Sequence, residues 1–114
     1  MHEAAITKAI MDSVLKIVDE QGITAPIQAV HVLAGVCQGL IPDSMQMFFN
    51  LTKSETPLAD AELIVTLQKM VAHCPQCARD EDLEVPVLFC SHCGGPMELI
   101  KGKELLLTAI EVKE

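Results

Sequence analysis

The spacing of apolar residues changes along the chain, from a helical period near its start to strand-like runs further on. Between Ala4 and Val18 the apolar residues recur every three or four positions, at Ile6, Ile10, Val14, Ile17 and Val18. Charged residues at positions 8, 12, 16 and 20 fall on the opposite side. This pattern predicts an amphipathic helix that buries one face and ends at Gly22.

The rest of the chain predicts a second helix and three strands. The segment 26–36 is rich in valine, isoleucine and alanine, which favours a largely buried strand that Gly35 and Gly39 end. The sequence Pro42-Asp43-Ser44 predicts the start of the second helix, with Asp43 as its cap. Segments 61–67 and 105–112 predict two further strands.

Together these elements predict an α+β fold with an insertion. A three-stranded sheet with two helices would form one domain from residues 1–69 and 99–114. A lobe of residues 70–98, similar to a zinc ribbon, would be inserted between the last two strands. The lobe is expected to form around a bound metal ion.

Four cysteines predict that metal site. They form two Cys-x2-Cys pairs, Cys74/Cys77 and Cys90/Cys93, with twelve residues between the pairs. Each pair can wrap one side of a cation, and four thiolates complete a tetrahedral shell. The absence of an open position favours structural Zn2+ over a catalytic zinc, which keeps a water ligand. Iron, two disulfides or unrelated thiols are the alternatives.

The amino-acid composition limits the classes of protein to which the chain can belong. Half of the 114 residues are hydrophobic, but only three are aromatic, so the core is expected to be aliphatic. Sixteen acidic against eight basic side chains give a net charge of −8, which disfavours nucleic acid as a partner. The apolar runs are too short to cross a bilayer, and the first residues do not resemble a secretory signal. Reduced thiols and a cytoplasmic location are therefore expected.

The first three residues, Met1-His2-Glu3, bring together several groups that bind metals. Because His2 is not small, the initiator methionine and its α-amine are expected to remain. The amine, the imidazole and the amide between them can close fused chelate rings in a plane, which suits Ni2+ or Cu2+ better than Zn2+. Taken alone this signal is weak, because a histidine at the second position is usually an ordinary surface residue.

Further motifs show that the chain resembles the HypA/HybF family of hydrogenase nickel-insertion accessory proteins over nearly its whole length. Besides Met1-His2-Glu3, it shares Pro42-Asp43-Ser44-Met45 with Phe48-Phe49 behind it. It also shares the strand sequence 61–65, Ala-Glu-Leu-Ile-Val, and both Cys-x2-Cys pairs. The chain closes with the family motifs at 102–105, Gly-Lys-Glu-Leu, and 110–112, Ile-Glu-Val.

The resemblance implies a nickel metallochaperone that catalyses no reaction. It implies that Met1, His2 and Glu3 bind Ni2+, and that Cys74, Cys77, Cys90 and Cys93 bind structural Zn2+. Its expected partners are the nickel-handling GTPase HypB and the large subunit of a [NiFe] hydrogenase. A monomer and a homodimer both remain open. One departure from the family is the second pair, Cys90-Ser91-His92-Cys93, where many members have Cys-Pro-x-Cys.

Two other classes compete with this interpretation. A zinc-ribbon module that binds nucleic acid or a transcription complex would have the same cysteine spacing. Acidic residues outnumber the single arginine in the segment 70–97, which argues against it. A zinc-dependent hydrolase is disfavoured because four thiolates leave no place for a reactive water.

The remaining cysteine and histidines carry weaker expectations. Cys37 follows the first predicted strand and is expected to be a small core residue rather than a ligand. His31 lies within that strand and is expected to have a partner at the core or the sheet edge. His73 and His92 flank cysteine ligands, so one hypothesis is that their protonation changes the shape of the metal lobe. The simpler alternative is that both are exposed.

Overall fold

A computed structural model of the chain describes residues 2–113, and it contains two α-helices and six strands in that range. In chain order these are α1 (Glu3–Glu20), β1 (Ile27–Gly35), α2 (Pro42–Thr52), β2 (Glu62–Gln68), β3 (Met70–Cys74), β4 (Arg79–Leu83), β5 (Glu98–Lys101) and β6 (Leu105–Val112). A short 3-10 turn, Val36–Gln38, follows β1. The predicted α+β fold class is confirmed.

The described residues divide into two compact units. The first contains the chain up to Val32, the segment Leu40–Thr66 and the residues from Leu106 onward; the second contains Leu33–Gly39 and Leu67–Leu105. Strands pair in two three-stranded sheets, in the orders β2-β1-β6 and β4-β3-β5. The sequence predicted a nickel-binding domain of residues 1–69 and 99–114 and a zinc-binding domain of residues 70–98. These domain bounds remain a prediction.

The buried face of α1 follows the helical period but is rotated from the predicted one. The residues that lie on it are Glu3, Thr7, Ile10, Met11, Val14 and Val18. Ile17 is instead 36% exposed, and Ile6 is half-buried. At about 100° per residue both lie at the margin of the stripe centred on Val14. The periodicity therefore predicted the helix correctly, but Ile6 and Ile17 are more exposed than it predicted.

Helix α2 begins two residues earlier than a cap at Asp43 would place it, so Asp43 is not its cap. Pro42 occupies the first turn, where its missing N–H costs nothing, and Ile41 precedes it with extended backbone. Asp43 lies within the first turn, where a carboxylate interacts favourably with the helix dipole. Met45 and Phe49 bury one side of the helix in the first unit.

The second unit contains a small sheet that the sequence did not predict. Strand β3 pairs antiparallel with β4 from Met70↔Leu83 to Cys74↔Arg79, and with β5 across a bulge between Val71 and Ala72. The core beneath it is small. It consists of Ala72, Cys74, Cys90 and Met97, with Cys77, Leu83 and Leu88 packed against them.

A close backbone approach fixes the region around Gly35 in this unit. The Gly35 N–H donates to the Glu104 carbonyl at 2.7 Å, and the Cys37 N–H donates to the Gly102 carbonyl at 2.8 Å. A Cβ atom on Gly35 would overlap the Gly102 backbone, so only glycine fits there. The side chain of Cys37 is exposed in the adjoining 3-10 turn, and the prediction that it is a core residue is therefore wrong.

None of the helices in the described residues is long and apolar enough to cross a membrane.

One buried polar atom in α1 generates a stability prediction. Thr7 is fully buried, and within residues 2–113 its hydroxyl has no hydrogen-bond partner. Thr7→Val keeps the side-chain shape and removes that hydroxyl, so we expect the free energy of unfolding to rise by about 1 kcal/mol. Chemical denaturation measures this change. In the matched control Thr52→Val, the lost hydroxyl donates to the Phe48 carbonyl at 2.8 Å, so no such gain is expected. A loss of stability in Thr7→Val would show that the hydroxyl is satisfied.

Candidate metal centre

The two Cys-x2-Cys pairs form turns of the same geometry. In the first, the Ala78 N–H donates to the Cys74 carbonyl at 2.8 Å, and Ala78 has a φ of 55°. In the second, the Gly94 N–H donates to the Cys90 carbonyl at 2.9 Å, and Gly94 has a φ of 71°. A left-handed residue after each pair turns the chain back, so both cysteines of a pair can face the same point.

The four sulfur atoms converge to a size that fits one small cation. All four Sγ atoms, those of Cys74, Cys77, Cys90 and Cys93, lie within 4.8 Å of one another. The Cys74–Cys93 distance is 3.6 Å and the Cys77–Cys90 distance is 3.9 Å. A tetrahedron with Zn–S bonds of about 2.3 Å has sulfur–sulfur edges of about 3.8 Å. The donor set therefore fits tetrahedral zinc in both size and chemistry.

Backbone amides point at three of the sulfurs and favour their anionic form. The Cys77 N–H donates to the Sγ of Cys74, the His92 N–H to that of Cys90, and the Gly95 N–H to that of Cys93, each at 3.4 Å. Such donors stabilise a thiolate and orient it toward a metal. They come from the turns themselves, so the sequence spacing that brings the sulfurs together also supplies their hydrogen bonds.

Crowding of the thiols raises the cost of ionising all of them without a cation. Hydrogen bonding to Cys93 and then Cys74, together with burial, raises the pKa of Cys77 to about 12. The pKa of Cys90 is instead lowered, first by its backbone hydrogen bond in the second turn. The pKa of one thiol in the cluster is thus raised while that of another is lowered. A divalent cation removes this conflict because it lets all four bind as thiolates.

The four cysteines differ in how deeply they are buried. Cys74 and Cys90 are buried, whereas Cys93 is exposed, which leaves one side of the site accessible to an entering ion.

Two histidines lie next to these cysteines in the sequence. His73 Nδ1 lies 2.7 Å from Asp80 on the paired strand, and His92 is exposed. Among residues 2–113 neither imidazole hydrogen-bonds to a cysteine sulfur. The hypothesis that they couple protonation to the shape of the lobe stays a prediction.

Two residues of the predicted nickel site, His2 and Glu3, lie at the beginning of α1. Met1 lies outside the described residues. His2 is exposed and immediately precedes the helix, where its carbonyl accepts the Ile6 N–H at 2.9 Å. Glu3 is only 6% exposed, and its Oε2 accepts the Ile41 N–H at 3.0 Å. This contact ties the start of α1 to the residue that precedes α2.

Two contacts of polar side chains show what the sequence predicted and what it missed. One involves His31, and the other involves Glu3. His31 pairs with Glu111, so β1 and β6 share a side-chain contact in their sheet, in line with the expectation that His31 has a partner. The structural role of Glu3 was missed. Its place on the same helical face as Thr7 and Ile10 was the available signal that it would be buried.

Comparison with known proteins places this geometry in a family. Residues 1–112 match the family described as "Hydrogenase/urease nickel incorporation, metallochaperone, hypA". The chain belongs to the HypA family. The resemblance seen in the sequence motifs is thereby confirmed, and the expectation of a metallochaperone rather than an enzyme is confirmed with it.

Relatives matched over nearly their full length include two hydrogenase maturation factors and one protein with another name. A hydrogenase maturation factor HypA from Chloroflexus aggregans is 37% identical and is matched over 97% of this chain and 98% of its own length. One from Desulfosudis oleivorans is 32% identical over all of both chains. A Synechocystis relative, 32% identical over 97% of this chain and 94% of its own, is named guanidine hydrolase-activating protein A.

Solved structures support the fold. The solution structure of the Ni metallochaperone HypA from Helicobacter pylori matches 98% of this chain and 97% of its own, with a TM-score of 0.66 and 19% identity. Another HypA solution structure matches 99% and 97%, with a TM-score of 0.70 and 18% identity. At this identity the likeness is evidence for the architecture alone.

The geometry of the sulfurs generates a prediction about zinc. The purified chain should contain about one zinc ion, and Cys74→Ser or Cys90→Ser should lower that content, because each removes one of four thiolates. Chelation should disorder the second unit, since binding at comparable small sites is worth about 10–16 kcal/mol. Elemental analysis and amide hydrogen exchange measure both effects. The control Cys37→Ser should keep full zinc content, and a folded second unit without metal would contradict the assignment.

Proposed function

We propose that this protein binds Ni2+ at its first residues and delivers it for maturation of a [NiFe] hydrogenase. The observation that carries the proposal is the family match, which extends over residues 1–112 and so includes the Met-His-Glu motif. Relatives matched over nearly their full length are named hydrogenase maturation factors. Delivery requires a site that holds the ion and also releases it.

The proposed nickel site consists of Met1, His2 and Glu3. The imidazole of His2 and the α-amine of Met1, with the amide between them, supply nitrogen ligands in the planar arrangement that Ni2+ favours. His2 is exposed ahead of the first helical turn, so its ring can reach an ion without disturbing the core. Glu3 supports the site from the buried side through its hydrogen bond to Ile41. Its carboxylate completes the proposed ligand set.

The four cysteines have a different task in this proposal. Cys74, Cys77, Cys90 and Cys93 hold Zn2+ permanently, which shapes the second unit and keeps those thiols from competing for nickel. A closed set of four thiolates exchanges its ion poorly, whereas a mainly nitrogen site at a chain end can form and open readily. Separate sites therefore allow one ion to be structural and the other to be cargo.

The proposed partners are the nickel-handling GTPase HypB and the hydrogenase large subunit, in the cytoplasm. A hydrogenase is the favoured recipient because the relatives from Chloroflexus and Desulfosudis are named for it. Urease also stands in the family description, and the Synechocystis relative is named for a guanidine hydrolase, so other nickel enzymes are the alternative recipients. The acidic charge of −8 argues against a nucleic-acid-binding zinc ribbon.

Nickel binding should depend on His2 and on a free α-amine at Met1. For protein produced to begin at Met1, His2→Ala should abolish tight nickel binding while zinc content and unfolding stability stay unchanged. A tag in front of Met1 should have the same effect, because it converts the amine into an amide. Calorimetric titration with Ni2+ measures the affinity. His92→Ala, which removes another exposed imidazole, should bind nickel normally. Tight binding by the His2→Ala protein would place the ligands elsewhere.

Nickel affinity should also fall in mildly acidic solution. The α-amine and the imidazole must each lose a proton before they bind the ion, so protonation competes with nickel binding. Affinity should therefore weaken progressively from about pH 7.5 to about pH 6. The same titration repeated across this range measures the slope. A pH-independent affinity would contradict nitrogen ligation by these groups.

A further inference from the structure

A hollow beside β3 and β4 in the second unit has the composition of a binding surface. It encloses about 420 Å³ and is lined by Val36, Lys69, Met70, Asp82, Leu83 and Glu84. Three of these side chains, Val36, Met70 and Leu83, give it an apolar floor. We refer to this space, defined by those six residues, as the β3–β4 hollow.

The charge at the rim of the β3–β4 hollow is negative. Lys69 and Asp82 neutralise each other across 2.6 Å. Glu84 is exposed and, among the described residues, has no hydrogen bond or ion pair. Other acidic groups of β4 already have partners: Asp80 pairs with His73, and Glu81 accepts from Ser91. The hollow therefore combines apolar walls with one uncompensated carboxylate, which suits a side chain with an apolar stem and a cationic end.

An exposed apolar run continues directly from the β3–β4 hollow. The five residues from Val85 to Phe89 are all apolar, yet Val85 is 59%, Val87 54% and Phe89 65% exposed. An isolated exposed valine needs no explanation, but a continuous apolar run next to a hollow is typical of a surface that a partner covers. Residues 84–87 are all exposed, so the side chains of an extended ligand have a continuous stretch of chain to contact.

The edge of the small sheet supplies the third feature. Strand β4 has β3 on one side and, within residues 2–113, no strand on the other. A peptide in extended conformation can pair with such an edge through its backbone, while its side chains supply specificity. The acidic side chains of β4 and the free Glu84 favour a basic peptide. The same charge repels nucleic acid and the anionic surface of a membrane.

We propose that the β3–β4 hollow and the run Val85–Phe89 form a docking surface for an extended segment of a partner protein in which lysine or arginine alternates with apolar residues. The cationic group pairs with Glu84, its stem lies on the apolar floor, and neighbouring apolar side chains cover Val85 and Val87. The surface includes none of the four cysteines and none of the first three residues, but it lies in the unit that zinc is proposed to fold.

The test uses the full zinc-loaded chain, labelled with 15N, and a short peptide that alternates valine and arginine. A matched peptide replaces each arginine with glutamate. Backbone chemical-shift changes should appear with the arginine peptide at residue 36 and residues 82–89, and should weaken with added salt. Glu84→Lys should reduce the affinity by at least about tenfold, because it places like charges together. Val85→Ser combined with Val87→Ser should also weaken binding.

A control variant distinguishes a charge change at the docking surface from the same change elsewhere on the protein. Glu98→Lys makes the same change at an exposed residue of β5 and should leave the affinity within about twofold. Equal binding of both peptides, shift changes elsewhere, or full affinity in Glu84→Lys would each overturn the proposal. So would self-association of the wild-type chain that Val85→Ser abolishes, because the occupant would then be a second copy. Nickel titration of Glu84→Lys should remain normal, so a failure here is distinguishable from failure of the nickel site.

Discussion

The structure of the second unit depends on the close approach of four cysteine sulfurs, which lie within 4.8 Å of one another. As thiolates at this distance they repel one another. Without a cation they cannot all ionise, which the raised pKa of Cys77 expresses directly. With a divalent ion they become four bonds that join the end of β3 to the loop before β5. The apolar core around them is too small to hold these elements by itself, since it centres on Ala72 and Met97 besides two of the cysteines. Metal binding and folding of this unit are therefore one process.

The first unit is built on a different principle. Its core is largely aliphatic, with Val14, Val30 and Met45 completely buried beside the nearly buried Phe49. A carboxylate also contributes to its architecture, because Glu3 accepts the Ile41 N–H where α2 begins. The residue next to the proposed nickel-binding histidine is thus part of the packing. This hydrogen bond holds the start of α1 against the residue before α2 and leaves His2 exposed.

Local patterns were sufficient to predict the two long helices, the strands β1, β2 and β6, and the convergence of the cysteines. Each of these follows from a periodicity or a spacing that acts over a few residues. Strands β3, β4 and β5 were missed, and the physical reason is clearest for β4. The sequence of β4, Arg-Asp-Glu-Asp-Leu, has poor strand propensity, and its pairing with β3 depends on the turn that the first cysteine pair closes. Long-range contacts also explain two side-chain environments that local patterns did not predict, those of Glu3 and Cys37. Glu3 is buried by its contact with the residue before α2, and Cys37 is exposed because a 3-10 turn follows β1.

X-ray absorption spectroscopy at the nickel edge tests the central claim most directly, because it reports which atoms surround the cargo ion while zinc remains bound. For protein that begins at Met1 and carries one equivalent of Ni2+, the account predicts only nitrogen and oxygen neighbours in a planar or tetragonal arrangement. Sulfur at bonding distance from nickel would contradict it, because a thiolate or thioether would then be a ligand outside the proposed set.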